Sequence, residues 1–157
     1  MIYDVDIVAV PEQAVVSMRA RSPLADIGRR FGRLRELVAQ AGLTPAGPPM
    51  ARFYEDDIAS PALDYDVALP VQLRSDGSVP DELTEARGEI VPLHHALQAV
   101  HTGPHDAMQD AWRAIHEARE ALGYAQSGPV TEVYVLGRDD GVEPARFVTE
   151  VRLPYAR

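Results

Sequence analysis

Apolar and polar positions along this chain fall into two matching series. The first opens with a β-prone run over residues 5–10, closed by Pro11, and a second short strand over residues 14–18. Ile27, Phe31, Leu34, Val38 and Ala41 then step by four, three, four and three, which draws one apolar stripe along a helix. Ser22-Pro23 precedes that helix as an N-cap with Pro at the first helical position, and Asp26 lies in the positive-dipole first turn. Gly42 stands where a left-handed C-terminal residue is wanted. Beyond Gly47-Pro48-Pro49 come strands over residues 50–54 and 65–69, separated by a loop through Ser60-Pro61.

The second series repeats this order. Residues 89–91 end at Pro92, residues 96–101 form the next strand, and Gly103-Pro104 opens a helix with the stripe Met108, Trp112, Ile115, Ala118 and Leu122. Gly123 ends the helix, Gly128-Pro129 precedes a strand over residues 131–135, and a last strand covers residues 147–153. Five Gly or Pro positions recur at a spacing of 81: Pro11 and Pro92, Pro23 and Pro104, Gly42 and Gly123, Gly47 and Gly128, Pro48 and Pro129. Pro fixes φ and Gly permits φ > 0, so matched punctuation means one chain path drawn twice. Pro70 and Pro154 match at 84, which places a longer loop in the second copy. The chain therefore divides into repeats over residues 1–73 and 88–157, joined by an exposed, charged connector over residues 74–87. Each repeat reads β-β-α-β-β. Together they predict a single α+β domain of about eight antiparallel strands with two helices on one face. A parallel doubly wound sheet would need more crossover helices than the two this pattern supplies.

Composition narrows the function. A chain of 157 residues suits one domain, and repeats of this size are expected to share a core. The formal charge of −9 argues against direct nucleic-acid binding, which needs a basic face, and is compatible with cationic ligands. With no cysteine there is neither a disulfide frame nor a thiol nucleophile, and a cytoplasmic setting is unopposed. The N-terminal residues are too acidic for a signal peptide, and no apolar run is long enough to span a membrane. Neither cofactor nor metal is expected. His94 and His95 would point to opposite faces of a strand, and His101 and His105 straddle a Gly-Pro helix start. Hydrogen bonding in the first helical turn accounts for His105.

Four stretches carry a family resemblance that covers nearly the whole chain. His101-Thr102-Gly103-Pro104-His105 resembles an H-x-G-P-[YH] helix entry, and Gly128-Pro129-Val130-Thr131-Glu132-Val133-Tyr134 a G-P-x-x-E-x-Y strand. Thr149-Glu150-Val151-Arg152-Leu153-Pro154 is similar to a T-E-[IV]-x-[IVL]-P ending, and Gly47-Pro48-Pro49 repeats the turn in the first copy. In this order they resemble the GyrI-like effector-binding domain, also found at the C-terminus of multidrug-sensing activators of the MerR and AraC types. That resemblance implies a groove between the halves that takes lipophilic, often cationic, small molecules, lined by aromatic side chains. Glu132 matches the family's acidic ligand contact. The full-length regulators carry a DNA-binding segment for which these residues leave no room, so a sensing role is expected to act through a protein partner, sequestration or chemistry.

The internal repeat singles out Glu132 independently. At the spacing of 81 its counterpart is Ala51, and that of Tyr134 is Phe53. Strand residues i and i+2 share a face, so an inward apolar face acquires an acid. A spacing of 80 would instead match Glu132 with Arg52 and Tyr134 with Tyr54, making the face polar in both copies. A salt-bridged Glu132 and a merely packed Tyr134 are the plain alternatives. Glu150 matches Asp66 at 84, which suggests a solvated face, although the resemblance allows a ligand role. Trp112 and Phe31 are equivalent stripe positions where core packing competes with ligand contact. Tyr54, Tyr65 and Phe147 complete the candidate ligand-binding set. Two other functions remain open. One is a hydrolase opening strained electrophilic rings, which some GyrI-like proteins resemble, with Glu132 as general base and Tyr134 as donor to the leaving atom. The other is an acidic protein-interaction module.

Overall fold

The computed structural model describes residues 2–157. Among these residues ten strands and two α-helices follow one another: β1 (Asp6–Val10), β2 (Gln13–Arg21), α1 (Ile27–Gln40), β3 (Met50–Phe53), β4 (Asp64–Val71), β5 (Glu82–Leu83), β6 (Ala86–Val91), β7 (His94–Thr102), α2 (Gln109–Leu122), β8 (Ala125–Gln126), β9 (Val130–Leu136) and β10 (Val148–Ala156). The fold is α+β with antiparallel pairing, and β5 and β8, of two residues each, add to the eight strands expected.

The chain forms two units, one made by the residues up to Val10 with His94–Arg157, the other by Pro11–Leu93. In the first, the strand order is β1-β7-β10-β9, and β8 pairs with the end of β10. In the second it is β3-β4-β2-β6-β5. Sequence repeats and units therefore do not coincide. β1 pairs with β7 of the second repeat (Ile7 opposite Leu97), while β6 pairs with β2 of the first (Ala14 opposite Ile90). The connections explain the exchange. Pro11-Glu12 and Pro92-Leu93 are two residues long, the length of a tight hairpin, but such hairpins want Gly or Asn at φ > 0. Proline holds φ near −65°, which these hairpin turns do not accept, and consecutive strands run on to different partners. The segment expected as an exposed connector also does more than connect. It carries an exposed turn, where Gly77 donates its N–H to the Arg74 carbonyl, and then the β5–β6 hairpin.

Each helix lies on the sheet of its own unit, α1 against β2 and β4, α2 against β7 and β10. Leu34, Leu37 and Val38 of α1 and Ala111, Trp112 and Ile115 of α2 are buried. The second stripe stops sooner than its spacing suggests, because Leu122 is exposed and Ala118 only half-buried. Gly42 and Gly123 end the helices at φ of 70° and 71°, the left-handed region that a Cβ disfavours. Ser22 does not cap. Pro23 instead leads into a short 3-10 turn at Leu24–Asp26, and the Ser22 hydroxyl lies 3.3 Å from the Tyr65 hydroxyl.

Two glycines give opposite expectations under denaturant. A Cβ on Gly32, exposed in the middle of α1, meets nothing within 4 Å, so Gly32→Ala should raise stability by about 0.5–1 kcal/mol through helix propensity. A Cβ on Gly88, opposite Val16 in the β2–β6 pair, would stand 2.1 Å from the Pro80 carbonyl oxygen. Gly88→Ala should therefore cost about 1–3 kcal/mol as residues 79–80 are pushed aside. Urea unfolding monitored by circular dichroism measures both.

Candidate functional site

Strand register decides which residues of the two repeats correspond. In one unit Glu132 lies opposite Val151 and Tyr134 opposite Thr149; in the other Ala51 lies opposite Val67 and Phe53 opposite Tyr65. Spacings of 81 in the first strand and 84 in its partner hold in both ladders. Ala51 and Phe53 are buried at 0% and 3% exposure, and Glu132, in the equivalent place, is exposed by only 8%. Arg52, the match at a spacing of 80, sits on the alternate face and is bonded to Asp66 at 2.8 and 3.0 Å.

The Glu132 carboxylate is held by two uncharged donors. The Trp112 indole Nε1–H donates to Oε2 and the Tyr134 hydroxyl to Oε1, each at 2.7 Å. Among the described residues no arginine or histidine forms an ion pair with it. Burial pushes its pKa up, against the two hydrogen bonds and the field of His101, which pull it down. The contrast with Asp66, buried to a similar degree, is direct: that acid accepts from the Arg52 guanidinium and from the Tyr54 hydroxyl at 2.6 Å. The repeats show what was exchanged. Phe31, Ala51 and Phe53 in the first repeat correspond to Trp112, Glu132 and Tyr134 in the second. Three apolar positions become one acid and the two donors that satisfy it.

An aromatic wall adjoins this triad. The His105 ring is 5.1 Å from that of Tyr134 and stacks on Phe147 at 4.9 Å. Burial first, then His101 and Arg138, push the His105 pKa down, so the ring is neutral at neutral pH. Beneath it, His101, Thr149 and Tyr134 form one cross-strand row over β7, β10 and β9. His101 is buried, with Nε2 2.9 Å from the Pro104 carbonyl and Nδ1 2.7 Å from the Tyr3 hydroxyl. A carbonyl only accepts, so Nε2 donates to Pro104. The Thr149 hydroxyl is buried without a hydrogen-bond partner.

Of the residues singled out by sequence, Glu132, Tyr134 and Trp112 come together directly, and Phe147 joins them through His105. Glu150 alternates to the other face of β10 and pairs with Arg152 at 2.9 Å. Tyr54 and Tyr65 belong to the unit of residues 11–93. Tyr54 lies under the Arg19 guanidinium at 3.6 Å and bonds Asp66, and its pKa is pushed up to about 12 by burial and that hydrogen bond. Tyr65 is fully buried against Phe53. Sequence reasoning passed over His101, Thr149 and the aromatic contacts of His105. The signal that found Glu132 was present at two of them, since His101 corresponds to Ala20 and His105 to Leu24 at the spacing of 81. Among the described residues no group of three His, Cys, Asp or Glu side chains is placed to hold a metal. No described helix is long and apolar enough to cross a membrane.

Residues 3–156 match the GyrI-like small molecule binding domain. The chain belongs to that family. Among solved structures, this GyrI-like domain is similar to the C-terminal domain of EcmrR, with 19% identity, 100% of this chain and 99% of that chain covered, and a TM-score of 0.87. It spans 57% of the EcmrR chain in that protein's DNA complex. A hydrolase from Listeria innocua is similar over 97% of this chain and 91% of its own, at 13% identity and a TM-score of 0.67. SAV2435, solved bound to tetraphenylphosphonium, is similar over 99% and 94%, at 13% identity and a TM-score of 0.57. At these identities the likeness is one of fold. No curated protein matches the sequence.

The buried acid has a cost that its own ionisation controls. Because the folded-state pKa of Glu132 is raised, the native protein holds that proton more tightly than the unfolded chain. The contribution is fully present below the unfolded carboxyl value and is lost as pH rises through the folded value. Glu132→Gln keeps an acceptor for Trp112 without the charge. Thermal melts should show near-equal Tm values at about pH 4 and a variant more stable by on the order of 2–4 °C at pH 7. A variant less stable than wild type at pH 7 would contradict the assignment.

Proposed function

We propose that this GyrI-like domain captures lipophilic cations at Glu132, with Trp112, Tyr134, Phe147 and His105 as the aromatic contacts. The observation that supports the reading is a buried carboxylate that, among the described residues, is hydrogen-bonded by two neutral donors and ion-paired to no side chain. Such a group leaves its charge uncompensated, and a bound cation compensates it. A charge pair about 4 Å apart is worth roughly 4 kcal/mol at an effective dielectric near 20, before desolvation is subtracted. The electron-rich faces of Trp and Tyr favour the same ligands. Neutral His105 adds ring surface without a repelling charge. The tetraphenylphosphonium bound to SAV2435 is a ligand of this class on a related fold. We place the protein in the cytoplasm, as an effector-binding domain that senses or sequesters its ligand.

Isothermal titration with tetraphenylphosphonium should give an affinity that falls at least tenfold in Glu132→Gln and about two- to fivefold in Tyr134→Phe. Triphenylphosphine oxide, a neutral analogue, should bind wild type and Glu132→Gln equally. Binding of the cation should weaken as pH falls and Glu132 takes up a proton. Equal cation affinity in wild type and Glu132→Gln would rule the reading out.

One observation favours hydrolysis as a second reading: burial raises the Glu132 pKa, as it does in carboxyl groups that act as bases. Against it, the single proton of Tyr134 is committed to Glu132 and not aimed at a leaving atom. Turnover of an epoxide, lost in Glu132→Gln, would establish that reading over simple capture.

A further inference from the structure

The unit of residues 11–93 has a hollow of its own that shares no lining residue with the Glu132 site. It is a half-open hollow of about 290 Å³ between α1, the loop after it and β4, with walls of Val38, Leu43, Pro45, Pro49 and Leu69. The loop is pinned in place. Ala46 donates its N–H to the Pro70 carbonyl and Gln72 to the Thr44 carbonyl, both at 2.8 Å, and Leu43 donates back to Val38. The hollow is thus preformed, at the lower end of the ~300–1,000 Å³ range of small-ligand pockets.

The internal repeat shows that this space is not forced by the fold. Val38, Leu43 and Val71 correspond to Arg119, Tyr124 and Tyr155 in the second repeat. There Arg119 Nη1 donates to the Tyr124 carbonyl at 2.9 Å, and the Tyr124 ring stacks on Tyr155 at 4.5 Å and 11°. Where the hollow is lined by Val38 and Leu43, the other repeat has the larger Arg119 and Tyr124. Arg35, half-buried, is the charged residue of its lining. It lies on a helix with four arginines and one glutamate, in a protein of net charge −9.

We propose that this hollow is a second ligand site, for a small apolar molecule bearing one carboxylate. A short alkyl chain or single ring occupies the space beside Val38 and Leu43, and the carboxylate meets the Arg35 guanidinium, whose planar fork suits it. The charge preference is opposite to that of Glu132, and the inference does not depend on the reading given for that acid.

Octanoate is the probe. Titration of the full chain, followed by ligand-observed NMR and calorimetry, should show saturable binding with a Kd of about 1 mM or tighter, a scale suited to ten heavy atoms. Leu43→Tyr, which copies the other repeat, should abolish it. Arg35→Gln, at a half-exposed position that folding tolerates, should weaken it at least fivefold, and Glu132→Gln should leave it unchanged. Absence of saturable binding to wild type would overturn the proposal. So would unchanged affinity in Arg35→Gln, or loss in Glu132→Gln.

Discussion

The hydrogen-bonded triad of Trp112, Glu132 and Tyr134 is the constraint on which the rest of this structure's functional logic depends. An ionised carboxylate out of water is strongly unfavourable unless its lone pairs are met. The two buried acids among the described residues meet that demand differently. Asp66 takes a guanidinium fork and a phenol, and its charge is closed off. Glu132 takes an indole and a phenol, which orient the carboxylate without neutralising it. The first arrangement builds structure. The second holds a carboxyl group fixed in direction and out of water, where burial raises its pKa.

Most of the architecture was legible because backbone punctuation is local. Prolines and glycines at a fixed spacing mark where strands and helices stop, and these marks survive whatever the intervening side chains do. The pairing partners of β1 and β6 were not legible, since alternation along a strand reports which face is buried and says nothing of which neighbour it joins. The Pro11-Glu12 and Pro92-Leu93 links were visible, but their unsuitability for a tight turn takes on meaning only beside the observed pairing.

For the candidate site, repeat comparison singled out positions where an apolar residue of one copy is polar in the other. It marked Glu132 and Tyr134, and Trp112 gained meaning once its indole nitrogen was seen to replace a phenyl edge. Glu150, Tyr54 and Tyr65, chosen for residue type and resemblance, do not join the hydrogen-bonded triad. Alternation within β10 puts Glu150 beside Arg152, and Tyr65 is packing for Phe53. His105 was read as a helix-start residue because its ring contacts, with Phe147 and Tyr134, come from strands remote in sequence.

The exchanged strands bear on how such a protein could arise. Each unit takes its opening strand from the other repeat, β6 beside β2 and β1 beside β7, the kind of exchange by which swapped dimers form. Two identical copies would then carry identical pockets, both acidic or both greasy. Joining them in one polypeptide releases that symmetry: one copy carries a carboxylate where its twin has Ala51 and an open hollow under α1.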